Sequence, residues 1–325
     1  MIEPFPARGQ LDVLFARCQG AYSDITLRGY RNDLKVFKGW CERKRENWLP
    51  ATPEAVAQFV DEEAPSLAIA TLKRRICAIQ FAHRIADLPS PINHSDVHLA
   101  VRRASRAKRR RPNQALGLTS DLLREILAAC PESLSGFRDA AMISVGYDTL
   151  CRSSELAAMR VEDLIGDCSS VRIPRSKSDQ FGDGRIGYLS PQTIERLTVW
   201  LTAAQLRTGP LFRGLHTNRV SPLPLDTSSI RRRIKLLAKR AKLGDDVVKG
   251  LSGHSMRVGA AQDMMLFGFD ALGIMQAGGW RTFAVLARYV ENASAARMHV
   301  RRWESISTTD PLLFADRSDA ATRSR

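Results

Sequence analysis

Apolar residues recur in this chain at helical spacing almost from its start: Tyr30, Leu34, Phe37 and Cys41 fall at i, i+4, i+7 and i+11 behind Ser23. That spacing puts them on one face of an α-helix and is incompatible with the alternation of a half-buried strand. The same period returns in segment after segment. It gives way clearly in one place, where V-R-I-P (171–174) and R-I-G-Y-L-S (185–190) alternate around an Asp183-Gly184 turn. The chain is therefore expected to be mainly α with a small antiparallel β-sheet.

Start signals divide the helical stretches. Ser23 or Thr26 caps the first, and Thr52 followed by Pro53 and Glu54 opens a second with Val56, Phe59 and Val60 inward. Ala68 to Ile85 forms a third, Leu72, Ile76 and Ile79 inward and Lys73, Arg74, Arg75 and Arg84 outward. Ser95 or Asp96 opens a fourth, which runs into Arg102, Arg103, Arg106, Lys108, Arg109, Arg110 and Arg111 before Pro112. At 325 residues the chain has room for about two domains. The boundaries expected are an all-helical domain over 1–103, a basic linker over 104–115, a second domain over 116–307 and a flexible tail over 308–325.

The second domain begins with Thr119 or Ser120 capping D-L-L-R-E-I-L, followed by an apolar helix from Ser135 to Thr149. Arg152 and Glu155 come next, one helical turn apart, and then the hairpin, with Lys177 at its tip. Pro191 starts another helix with Leu197, Trp200 and Leu201 on its apolar side. After a Pro- and Ser-rich loop, Ile230, Ile234, Leu237 and Ala241 form a stripe on a helix whose remaining surface, including Arg231, Arg232, Arg233 and Lys235, is cationic.

Charge narrows the class of partner. Lys and Arg number 49 against 34 acidic residues, a net +15, which calls for a polyanion. A run such as 102–111 also suits a solvated linker, but in so basic a chain it is expected to touch DNA phosphates, as are Lys73, Arg74 and Arg75 and the cationic helix at 231–235. No apolar run is long enough to span a bilayer and no secretory leader is evident, so a soluble, cytoplasmic protein is expected. The six cysteines are scattered without metal-ligand spacing and are read as reduced and mostly buried.

One stretch concentrates chemistry. From Leu251 to Tyr289 the chain carries His254 and Arg257 three residues apart, then Trp280 and Tyr289. A guanidinium that can grip a phosphate beside an imidazole that can move a proton suits phosphoryl transfer, and Tyr289 offers a phenolic nucleophile. Each residue alone fits a packing role, so the inference rests on the set.

The ordered series Arg152, Glu155, Lys177, His254, Arg257, Trp280 and Tyr289 resembles the tyrosine recombinase (phage integrase) family. G-H-S-M-R-V-G-A-A (253–261), I-M-Q-A-G-G-W (274–280), the linker A-V-R-R-A-S-R-A-K-R-R-R-P-N-Q-A-L (100–116) and T-L-K-R-R-I-C-A-I-Q-F-A-H (71–83) carry the likeness over nearly the whole chain. The resemblance implies an all-helical N-terminal core-binding domain and an α+β catalytic domain that clamp double-stranded DNA. Arg152 and Arg257 would hold the non-bridging oxygens, Tyr289 would attack phosphorus, His254 would serve as acid or base and Lys177 would protonate the departing 5′-oxygen. Trp280 would close the site and Glu155 would position its neighbours. With arginines supplying the charge, neither metal nor ATP nor any other cofactor is expected.

The family implies a tetramer on DNA, joined by a C-terminal segment such as Val300 to Phe314, with accessory DNA-binding proteins in some systems. Integration, excision, inversion and resolution all remain open products. A type IB topoisomerase-like strand passer and an architectural DNA-binding protein with an idle site are the competing readings. Phosphate contact by the basic segments has a direct check. The logarithm of DNA affinity, followed by anisotropy, should fall linearly with that of salt, by about 0.9 per phosphate neutralised; a flat response removes these segments from the interface.

Overall fold

The computed structural model describes residues 8–108, 114–173, 184–217 and 219–290, together with 299–300, 302–304 and 306. The chain separates into two compact units, Met1–Pro112 and Asn113–Arg325. The division falls inside the basic segment that the sequence marks as a linker.

The described residues of the first unit are helical: α1 (Arg8–Arg17), α2 (Asp24–Lys44), α3 (Pro53–Glu63), α4 (Ile69–Ile85) and α5 (Ser95–Ala107), with a short 3-10 turn at Pro91–Asn93. Ser23 caps α2 by accepting from Thr26 N, and Thr52 caps α3 by accepting from Ala55 N. The cap of α5 is His94, whose ring accepts from Asp96 N. α1 lies before the first helix marked in the sequence, and on it Phe15 is buried with its ring 5.5 Å from Phe81. Phe37, Trp40 and Phe59 form a second aromatic group in the same core.

His83 is fully buried in this unit. Its Nε2 accepts from Ala51 N at 2.9 Å, so Nδ1 carries the proton and donates to Ile79 O at 2.8 Å. Burial holds its pKa below the ordinary value, and the neutral ring makes both bonds.

In the second unit, α6 (Ser120–Ala128), α7 (Leu134–Asp148) and α8 (Ser153–Ala158) precede a three-stranded antiparallel sheet in the order β1-β2-β3: β1 (Leu164–Ile165), β2 (Ser170–Ile173) and β3 (Arg185–Tyr188). α9 (Pro191–Ala203) packs on α7, and Trp200 at their shared core donates through Nε1 to Leu211 O. A second hairpin follows, β4 (Arg213–His216) and β5 (Arg219–Pro224), then α10 (Thr227–Arg240), α11 (Asp245–Gly250), α12 (Ser255–Leu266), α13 (Ala271–Gly278) and α14 (Phe283–Val290). No described helix is long and apolar enough to cross a membrane.

The β4–β5 hairpin lies where a Pro- and Ser-rich loop is expected. β5 is largely exposed and contains Pro222 and Pro224, so it shows no alternation of burial for a sequence pattern to report. The stripe on α10 is closed by buried Ala238, while Ala241 is the C-cap residue. Thr119 makes no side-chain cap to α6; the carboxylate of Asp263 on α12 accepts from Ser120 N and from Tyr147 Oη, both at 2.6 Å. All six cysteines are free: Cys18, Cys41 and Cys151 are buried, Cys130 and Cys168 half-buried and Cys77 exposed.

Asp139 on α7 shows how this unit uses its positive charge. Its carboxylate is fully buried between Arg138, at 2.7 Å, and Arg233 from α10, at 2.6 Å. Removing the acid would leave two clustered cations, one of them buried. Asp139→Ala is expected to destabilise the protein by about 3–5 kcal/mol, measured by denaturant unfolding.

Candidate active site

Two segments far apart in sequence build the site. Arg152 is the N-cap residue of α8. Glu155, in the first turn, is buried and accepts from Arg152 N at 2.9 Å and Arg152 Nη1 at 2.5 Å. Backbone and guanidinium are thereby tied to one carboxylate, and Arg152 stays 32% exposed at its tip. The bond is a cap as well as an ion pair, which separates it from a surface pair of little worth.

The second segment begins at the turn into α12. Ser252 N donates to Ser255 Oγ and His254 N to Ser252 Oγ. His254 sits at the N-cap position with its ring reaching solvent, and Arg257 lies one turn inside the helix, 0% exposed. Arg257 Nη1 donates to the carbonyl of Leu150, a residue in the left-handed region at φ 50. That conformation costs a non-glycine residue about 1–2 kcal/mol. It stands two positions before Arg152, so one strained carbonyl links the two arginines.

The guanidinium of Arg257 lies 4.1 Å from the Trp280 ring centroid and 5.6 Å from that of Tyr289. The two rings are 5.0 Å apart and tilted by 53°. The turn that brings Trp280 here is glycine-dependent. Gly279 has φ 65, and a Cβ on Gly278 would lie 2.2 Å from the indole. Tyr289 is half-buried near the end of α14, and its backbone carbonyl accepts from Gln114 Nε2 at 3.1 Å and Gln262 Nε2 at 3.3 Å.

Three buried N–H donors here have no acceptor among the described residues: Arg257 Nε and Nη2 and Trp280 Nε1. Buried donors are almost always satisfied, so their concentration in one place marks a site for an oxyanion. Burial and then the charge of Arg152 lower the Arg257 pKa to about 10, which still leaves it cationic at neutral pH. Burial, then Arg257 and Arg152, also hold the His254 imidazole below its ordinary value, with Glu155 opposing.

Six of the seven residues singled out in the sequence thus converge: Arg152, Glu155, His254, Arg257, Trp280 and Tyr289. Lys177 lies outside the described residues. Among those described, one group of side chains is spaced to hold a metal ion, Glu54, His94 and Asp96 of the first unit, and it contains none of these six. Arg185, Gln262 and Leu150 were not flagged in the sequence. None belongs to a motif: the packing of α12 brings in Leu150 and Gln262, and the end of α13 brings in Arg185.

The cations expected to face DNA divide into two kinds. Lys73, Arg102, Arg106, Arg231 and Arg232 are exposed. Arg74 is 59% exposed while holding Asp33 through two bonds of 2.6 and 2.8 Å. Arg75, expected outward, is largely buried against Glu63 and Asp33, because α4 packs its side of the helix onto α2. Arg103 pairs with Asp61, Lys108 donates to Pro65 O and Leu67 O, Arg233 is committed to Asp139, and Lys235 donates to Lys249 O. Arg109 and Arg110 lie outside the described residues.

Comparison with known proteins assigns the family. The model of the phage integrase family matches residues 117–296, and that of the phage integrase N-terminal SAM-like domain matches residues 14–86. The chain belongs to the phage integrase family. It is 31% identical over 295 residues to an integrase/recombinase xerD homolog of Selenomonas ruminantium, covering 86% of this chain and 84% of that protein. It is 27% identical over 297 residues to recombinase cre of Escherichia phage P1, covering 85% and 86%. The fold matches that of a lambda integrase tetramer bound to a Holliday junction, with TM-score 0.64 and 16% identity over 90% of this chain and 79% of that one. It also matches XerH recombinase in a post-cleavage complex with palindromic difH, with TM-score 0.63 and 16% identity over 93% and 84%. This phage integrase family member is thus a tyrosine recombinase.

The charges around His254 make its titration a check on the site. In the free protein its pKa, followed by NMR, should lie below 6.5. Glu155→Gln removes the one anion that opposes the two arginines and should lower it further; a rise on this substitution contradicts the arrangement.

Proposed function

We propose that this chain is a site-specific recombinase that cuts and rejoins DNA strands through a 3′-phosphotyrosyl bond to Tyr289. The observation that carries the reading is Arg257: a fully buried guanidinium with two N–H donors that, like the neighbouring Trp280 Nε1, have no acceptor among the described residues, 5.6 Å from the Tyr289 ring. As the phenol oxygen attacks phosphorus, charge builds on the non-bridging oxygens, and donors already fixed in a water-poor site stabilise that charge most. Arg152 supplies the second guanidinium from the solvent side and Glu155 aims it. His254, neutral in the free protein, accepts or returns a proton; a bound phosphate raises its pKa by opposing the two arginines.

The P–O5′ bond breaks as the Tyr289–phosphorus bond forms, and Lys177 gives the leaving 5′-oxygen its proton. A 5′-hydroxyl of a second strand then attacks the phosphotyrosine and frees Tyr289. One ester replaces another at each step, so the reaction needs no external energy source. The exposed cations Lys73, Arg102, Arg106 and Arg231 would contact duplex phosphates. The protein is proposed to act in the cytoplasm as a tetramer across two DNA sites; the lambda integrase whose fold it matches is a tetramer bound to a Holliday junction.

A nicked suicide substrate decides the assignment. Wild-type protein should accumulate a covalent adduct that peptide mapping places at Tyr289. Tyr289→Phe should bind the same DNA within about twofold and form none. An adduct on another residue, or none at all, overturns it; relaxation of supercoiled DNA without strand exchange would favour a topoisomerase.

A further inference from the structure

Arg185 begins β3 and pairs with Ile173 across the ladder. Its side chain is only 19% exposed. Nη1 donates to Ala277 O at 2.7 Å. That carbonyl lies in the last turn of α13, where carbonyls have no partner within the helix and where the helix dipole favours a cation. The turn continues through Gly279, at which an added Cβ would lie 3.2 Å from Arg185 Cδ, and delivers Trp280. The other fork faces the opposite half of the site: Nη2 is 3.9 Å from Glu155 Oε2, beyond hydrogen-bond length, and buried with no acceptor among the described residues.

One planar group therefore spans three elements: the stem of the hairpin, the end of α13 that places Trp280, and the carboxylate that aims Arg152. A guanidinium serving stability alone would gain most by satisfying both forks. This one is fixed at the Trp280 side and stops short at the Glu155 side. A movement of Glu155 of about 1 Å would turn the 3.9 Å contact into a hydrogen bond, and Arg152 is tied to the same carboxylate through its backbone and side chain.

We propose that Arg185 is a positioning residue for strand cleavage, setting the spacing between the Trp280–Arg257 half of the phosphate site and the Arg152–Glu155 half. The proposal rests on the reading of Tyr289 as nucleophile. Lysine cannot replace it fully, because a point charge on a flexible stem does not bridge two fixed acceptors.

The test is single-turnover cleavage of a nicked suicide DNA at saturating protein, comparing full-length wild type, Arg185→Gln and Arg185→Lys. Binding and thermal melting are measured on the same preparations. Arg185→Gln should cleave roughly 10- to 100-fold more slowly, the scale of an ångström misplacement, with DNA affinity within about twofold and an adduct still on Tyr289. Arg185→Lys should fall between Gln and wild type.

A 5′-bridging sulfur, which leaves without needing a proton, should not close the gap, since Arg185 acts on the phosphate-holding groups. Cleavage by Arg185→Gln at the wild-type rate overturns the proposal. So does a deficit abolished by the sulfur, or a rate loss matched by lost DNA affinity. If Arg185→Gln melts below the assay temperature, Arg185→Lys decides, and cleavage at the wild-type rate by that variant overturns it. Failure of the wild type itself to label Tyr289 instead sinks the nucleophile assignment, so the two readings fail separately.

Discussion

The burial of Arg257 is the constraint on which the rest of the site depends. A guanidinium removed from water needs compensation, and no carboxylate among the described residues forms an ion pair with this one. Its compensation is a single carbonyl, that of Leu150, together with the face of Trp280. Each demands structure in turn. The carbonyl requires a left-handed residue just before Arg152, and the indole requires the Gly278-Gly279 turn at the end of α13. What remains of the guanidinium, Nε and Nη2, has no acceptor among the described residues, an arrangement that costs stability and suits the oxyanion proposed above.

The same economy of charge runs through the whole chain. A net +15 reads in the sequence as one broad claim about a polyanion. In three dimensions a substantial share of those cations is consumed internally, by Asp33, Asp61, Glu63, Glu155 and Asp139. These pairs brace α2 against α4, α3 against α5 and α7 against α10. They separate arginines that build the scaffold from those exposed to a partner, a distinction that neighbours in sequence do not share: Arg231 is exposed while Arg233, two residues on, closes over Asp139.

Much of the fold was legible because its signals are local. Ser23, Thr52 and Ser190 cap their helices through bonds three residues long, and the alternation at 171–190 announces the β2–β3 hairpin. What escaped was held by distant contacts. α1 is anchored by Phe15 meeting Phe81; the β4–β5 hairpin has no alternation; α6 is capped by Asp263 from α12. Among site residues, the six that converge were found because each has a distinctive type in a recognisable order. Arg185 was not, since an arginine after a turn is indistinguishable from a solvated one until α13 is placed against it.

The sequence by itself determined the family, the mainly helical class with its hairpin, and the set of candidate site residues, because residue type and spacing along one helix or turn are properties of the chain alone. Tertiary structure decided which of those groups are buried, which donors are left without acceptors, and which cations remain for DNA. Those are consequences of desolvation and of contacts between residues far apart in the chain, as between Leu150 and Arg257 or Arg185 and Ala277. No local pattern encodes them; they arise only when helices carrying the two halves of the site pack together.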